Sequence, residues 1–192
     1  DKLQACNDAA IRSSRHRQDF SEAMAHQTGI TIKSNRELKL MLEAGQIIAR
    51  ARAKLAADMV QGVATRDLDT IAENVIRGDG AIPSLKKYKA GGVIPFPGTI
   101  CVSINDEIVH GIPSERKLNE GEIISIDVGA ICHGLHADSA FTIGVGEVSD
   151  EAQRLMDATR ESLDRGIAKI RAGARIGDIS SAVQTYAEGL GY

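Results

Sequence analysis

The chain has no tryptophan and only three phenylalanines and three tyrosines, so aromatics make up 3% of its 192 residues. Its core must be aliphatic. Charge of one sign is missing too: 23 basic against 26 acidic side chains leave a net −3, which gives no general field for nucleic acid or an acidic membrane. No apolar run approaches the roughly 18 residues of a membrane span. Cysteine is sparse, with Cys6, Cys101 and Cys132 widely spaced, odd in number and outside any CxxC or CxxH arrangement. That argues against a disulfide framework and a structural zinc knuckle and makes a reducing, cytoplasmic setting the expectation. What remains, 43% apolar and 26% charged, is the composition of an ordinary globular protein of one domain or slightly more.

The chain opens on Asp1 rather than Met, so a longer reading frame is expected. Residues 1–29 hold four basic and four acidic side chains and no apolar stretch of the kind a secretory signal needs. The Arg12-Ser13-Ser14-Arg15-His16-Arg17 stretch suggests an organellar transit peptide, but Asp8, Asp19 and Glu22 count against one. These residues read as a poorly ordered extension.

From Ser34 the chain becomes legible. Ser34 and Glu37 form a capping box before Leu38, Met41, Leu42, Ile48 and Leu55, which recur at helical spacing up to about Met59. Gly62 breaks this helix, Thr65 offers an N-cap, and Leu68, Ile71, Ala72, Val75 and Ile76 form a second helical face that ends before Gly78-Asp79-Gly80. Gly80 to Gly98 reads as a Gly/Pro-rich loop. Strands are expected over Thr99–Ile104, in a short piece around Ile108-Val109, over Ile123–Val128 and over Ala140–Ile143. Ser149 starts a third helix running through Ile170, and a fourth follows Gly177.

The chain also repeats itself. Gly62, Asp67, Leu68, Ile71, Ala72, Val75, Ile76 and Gly80 each find a like residue 111 positions later, from Gly173 to Gly191, without a gap. The third and fourth helices read as a second copy of the first two. The competing reading is a helix-start pattern shared by chance.

The sharpest local chemistry is Asp127, set inside the apolar run Ile123–Val128 and followed by Gly134-Leu135-His136-Ala137-Asp138. An ionised carboxylate among apolar residues is costly unless it is paired or bound to a cation. A turn at His133-Gly134, or at any even-length loop nearby, puts Asp127 and Asp138 on one face of two paired strands, either directly opposed or as diagonal neighbours. Such a pair either shares a proton or holds a metal; alternatively, Asp138 is a solvated turn residue. His110, before Gly111 and Pro113, sits where a rigid turn would aim its ring, although alone it reads as an ordinary surface or capping histidine rather than a catalytic one. His136 lies close to the carboxylates, either as support or simply exposed. Cys101 reads as a buried structural thiol. There is no Gly-x-Ser-x-Gly elbow, no phosphate loop and no Gly-x-Gly-x-x-Gly fingerprint.

Together, Ile30–Ser34, Cys101–Pro113 with its His-Gly-Ile-Pro ending, Gly121–Gly129 and Gly134–Asp138 resemble the bacterial-type (type I) methionine aminopeptidases from about Ile30 to Tyr192. The resemblance implies an α+β pita-bread fold of two pseudo-symmetric helix–sheet halves, in agreement with the repeat. It also implies removal of the initiator methionine from nascent polypeptides whose second residue is small, by a metal-activated water. Asp127 and Asp138 match the two aspartates that bridge a pair of divalent cations, Co, Mn, Fe or Zn. His110 matches a catalytic, substrate-contacting histidine. The family's metal-binding histidine and two glutamates have no counterpart up to Tyr192. Residues 30–192 are therefore expected to form a C-terminally incomplete catalytic domain with little activity of its own, and Lys86–Gly98 a longer loop than in simpler members. Proximity to the ribosome is a further implication. The alternative function is a non-catalytic peptide- or protein-binding module of the same fold.

Overall fold

The computed structural model describes residues 32–89 and 94–192, so the extension expected over 1–29 lies outside them. The described chain divides into two compact units, one ending at Val145 and the other spanning Gly146–Tyr192.

In the first unit, helix α1 (Asn35–Asp58) begins with the expected capping box: Ser34 Oγ accepts the Glu37 N–H at 3.3 Å while the Glu37 carboxylate takes the Ser34 N–H at 2.7 Å. Its buried stripe is Ala44, Ile47, Ile48, Ala51 and Leu55; Leu38 and Leu42, expected on that stripe, are exposed. Helix α2 spans Thr65–Gly78. Thr65 is not its N-cap as the sequence suggested, because Ala64 holds that position. Thr65 is instead buried and trades hydrogen bonds with the backbone of Ser114, while the N–H groups of Thr65 and Arg66 are taken by the carbonyls of Arg116 and Ser114. A passing chain segment does the work that a cap would otherwise do.

The sheet is built around β3 (Ile123–Cys132). One edge pairs along its whole length with β4 (Leu135–Gly144); the other pairs first with β2 (Ile100–Ile104) and then with β1 (Ile82–Pro83), all antiparallel. The loop expected over Gly80–Gly98 therefore contains a short strand, and both long strands reach further toward their turn than the β-branched runs indicated. That turn is His133-Gly134, with φ of 52° and 73°, the two positive values that a twist-matched two-residue hairpin requires. No strand forms at Ile108-Val109: these residues are 90% and 65% exposed on a connecting loop, where β propensity has no partner strand among the described residues to act on.

One sheet face carries Ile124, Ile126, Val128 and Ala130, which are buried with the α1 stripe and with Leu68, Ala72 and Ile76 of α2 in a single aliphatic core. Each large side chain there contributes about 1.5–3 kcal/mol of burial. Arg52 fastens α1 to β4 by lying 4.8 Å over the Phe141 ring and donating to Ser139 Oγ at 2.7 Å.

The second unit holds α3 (Asp150–Ile167), capped by Ser149 Oγ on the Ala152 N–H, and α4 (Ile176–Gly189), which starts one residue before the expected Gly177. Both ends of α4 fall 111 residues after those of α2. The glycines framing the two helices match in backbone as well: Gly62 and Gly173 have φ of 88° and 84°, Gly80 and Gly191 have 79° and 88°. The repeat is thus one of geometry. Burial differs between the copies, since Leu68, Ala72 and Ile76 are fully buried whereas Ile179, Val183 and Ala187 are half-buried.

Candidate functional site

The other face of the sheet is polar, and it gathers the residues singled out from sequence. Asp127 lies opposite Cys101 of β2 on one side and Ala140 of β4 on the other; Asp138 lies opposite Gly129. The two aspartates are therefore diagonal neighbours on one face, the second of the two arrangements an even-length turn allows. Asp138 is exposed and Asp127 half-buried. Asp127 Oδ1 is wholly buried without a hydrogen-bond partner. Burial, then the Asp138 charge and a hydrogen bond shared with it, push the Asp127 carboxyl up to about 6, and His110 partly opposes this.

Gly129 makes the approach of Asp138 possible. A Cβ there would overlap the Ser84 hydroxyl and come within 2.8 Å of Asp138 Oδ2. Ser84 reaches this point because its N–H bonds the Gly129 carbonyl at 3.0 Å, just beyond β1. Neither residue was singled out from the sequence. The available signal was a glycine inside a strand, two positions from an aspartate in an apolar run, which marks a close approach.

Beside the carboxylates lies a cavity of about 120 Å³ lined by Cys101, Ser103, Val109, His110, Asp127 and Ala140 among others. His110 is therefore placed near Asp127, not at a strand end but on the exposed loop after β2, with φ of 60°. The loop is drawn back to β2 at Gly111, whose carbonyl accepts the Val102 N–H at 2.9 Å; a side chain at Gly111 would run into the Val102 carbonyl. His136 is exposed on β4, two residues before Asp138 and so on the same face. Cys101 is buried, and desolvation together with the surrounding carboxylates raises its thiol to about 11. It is a neutral wall residue rather than a nucleophile.

Asp69 of α2 was also missed from sequence. Its Oδ1 accepts the N–H groups of Thr99 and Ile100 at 2.6 and 3.0 Å, which sets where β2 begins and hence where Cys101 meets Asp127. Burial raises its carboxyl despite those two donors.

The donor chemistry fits a divalent cation. A buried carboxylate oxygen without a partner, beside a second carboxylate across the ladder, is an oxygen site of the kind that hard and borderline cations take. Among the described residues no cluster of three or more histidine, cysteine or acidic side chains completes it. The helix-backed antiparallel sheet is that of a pita-bread protein, with two aspartates paired on its polar face. The chain belongs to metallopeptidase family M24, whose model matches residues 39–192.

Among its relatives, methionine aminopeptidase 1 of Bacillus subtilis is 47% identical over 159 residues, covering 83% of this chain and 62% of the relative. A Clostridium acetobutylicum methionine aminopeptidase is 46% identical, covering 85% and 64%. The crystal structure of methionine aminopeptidase from Rickettsia prowazekii superposes with a TM-score of 0.81 at 34% identity, covering 85% of this chain and 64% of that one. The chain thus spans less than two thirds of the length of these relatives. A prolidase from Pyrococcus furiosus, 18% identical with a TM-score of 0.73, shares the fold.

Proposed function

We propose that the protein to which these residues belong is a metal-dependent aminopeptidase that removes the initiator methionine from polypeptides with a small second residue. The observation that carries this reading is the diagonal Asp127–Asp138 pair with its unpartnered buried oxygen. Asp127 and Asp138 would hold the metal, a pair of divalent cations in the fullest form of the reading. When bound, it supplies Lewis-acid polarisation of the scissile carbonyl and a water of lowered pKa.

The chain's own residues do the rest. At neutral pH Asp127 is mostly ionised and free to ligate, since its carboxyl titrates at about 6. The apolar wall of Ile108, Val109 and Ala140 receives an apolar side chain, and His110 on the same wall contacts the peptide near the scissile bond. Cys101 stays protonated and takes no covalent part. A substrate of nascent chains implies work in the cytoplasm, close to the ribosome. A peptide-binding module of the same fold would have no use for a carboxylate oxygen buried without a partner.

Calorimetric titration with Mn²⁺ or Co²⁺ tests the site: binding that disappears in both Asp127→Asn and Asp138→Asn supports it, and binding indifferent to both overturns it. A polypeptide of only these 192 residues, with two carboxylates and no third donor among those described, is expected to hydrolyse Met-Ala-Ser peptides slowly or not at all. Turnover at the rate of an intact family member would refute that expectation.

A further inference from the structure

The loop that carries His110 is fastened at both ends and bare in the middle. It leaves β2 at Asn105, whose backbone N–H bonds the Ile123 carbonyl and whose side-chain Oδ1 accepts the Ile123 N–H, both at 3.0 Å. It returns at Gly111, held by the Val102 N–H and by a 3.3 Å contact to Ser103 Oγ. Between these ends, Glu107 is the residue whose side chain grips the body of the unit. Its Oε2 accepts the Ile104 N–H at 2.9 Å, and its Oε1 accepts from Arg116 at 2.9 Å. Arg116 in turn donates to Glu122 at 3.2 Å, immediately before β3. Past Glu107 come Ile108, Val109 and His110, all three lining the cavity and all three exposed.

We infer that Glu107 is a positioning residue: through Arg116 and Glu122 it ties the His110 wall of the cavity to β3, the strand that carries Asp127. The inference rests on the proposed function for its meaning in catalysis, but its geometry can be tested without any turnover. Glu107 and Arg116 are about as exposed as each other, with 46% and 41% of their side-chain surface accessible. Exposed pairs of this kind add little to global stability. Their loss should therefore loosen the loop and leave the fold intact.

Two buried thiols report the difference. Cys101 lines the cavity under the loop, whereas Cys132 belongs to the aliphatic core on the opposite face of the sheet. Peptide-resolved alkylation with iodoacetamide would be followed in the wild type and in Glu107→Gln, Glu107→Ala and Arg116→Met variants. The Gln variant keeps an acceptor for Ile104 and loses only the charge, so it should match Arg116→Met; Ala loses both bonds and should exceed them. Cys101 is expected to react up to roughly fivefold faster in the two charge-loss variants, with Cys132 and the melting temperature little changed. Equal acceleration of both thiols, or none at Cys101, overturns the assignment. A wild type that binds no Mn²⁺ while the alkylation pattern stands as expected would instead overturn the function reading alone.

Discussion

Asp127 and Asp138 stand one pleat repeat out of register across the β3–β4 ladder, Asp127 facing Ala140 and Asp138 facing Gly129, so that their carboxylates meet diagonally. The offset decides the chemistry. It adds the Asp138 charge to burial, the larger cause that raises Asp127, while leaving an oxygen of that residue unpartnered, which a cation can satisfy and a neighbouring side chain does not.

A metal-free chain should carry this conflict in its pH dependence. Asp127 is raised from 3.8 to about 6, so its contribution to stability is complete below about pH 4 and is lost as the pH climbs through about 6. Asp127→Asn removes that loss and is expected to stabilise the chelated protein at pH 7 by ~1–2 kcal/mol, after allowance for solvent access to the half-buried carboxylate. Paired thermal melts of wild type and variant between pH 4 and 7.5 measure the difference; two parallel curves would refute it.

Gly129→Ala should damage site and fold together, because the added methyl overlaps the Ser84 hydroxyl and crowds Asp138 Oδ2. Overpacking of this kind costs about 1–3 kcal/mol. The control is Gly45→Ala in α1, where a Cβ meets nothing within 4 Å and helix propensity favours alanine by ~1 kcal/mol. Urea denaturation should give opposite signs for the two substitutions, with Mn²⁺ affinity falling only for Gly129→Ala.

Asp69→Ala leaves the Thr99 and Ile100 N–H groups without their acceptor at the start of β2. Losing charge-assisted bonds to partly buried donors costs about 2–3 kcal/mol. Asp69→Asn keeps an acceptor oxygen and should lose roughly half as much. Chemical denaturation separates the two, and equal losses would show that the charge rather than the acceptor geometry matters.

The second unit presents Leu163, Ile167, Ile170 and Ile176 at 52–80% exposure. Apolar surface of this extent binds hydrophobic dye. Fluorescence of a naphthalene sulfonate dye should rise on mixing with the folded chain and fall in an Ile167→Lys, Ile170→Lys variant of unchanged helicity; a dye signal indifferent to both lysines would locate the binding elsewhere.

Much of this arrangement is written in short-range signals. The Ser34–Glu37 box, the Ser149 cap and the His133-Gly134 turn each depend on residues within a few positions of one another, and each forms as the sequence predicts. The turn alone puts both aspartates on one face. What stays hidden depends on distant partners. Thr65 misleads because its hydroxyl bonds a residue 49 positions away. Among the described residues, Ile108-Val109 has strand-forming residues and no strand to pair with, and Leu38 and Leu42 keep the helical period where they stand exposed. Ser84 and Asp69 act on the site only because β1 and β2 share one edge of β3, a fact of topology that no local spacing announces.

The His133-Gly134 hairpin also gives the site an order of assembly. The carboxylates sit at low sequence separation, and a hairpin of this type closes in about 1–10 μs. Backing it requires α1, whose Arg52 meets Ser139 across 87 residues, and contacts so remote form late because the chain must first close a long loop. On the proposed function, the hairpin that sets the acidic pair side by side closes before its shelter is built, so that a cation would meet these two carboxylates on a solvated ribbon rather than in a finished cleft.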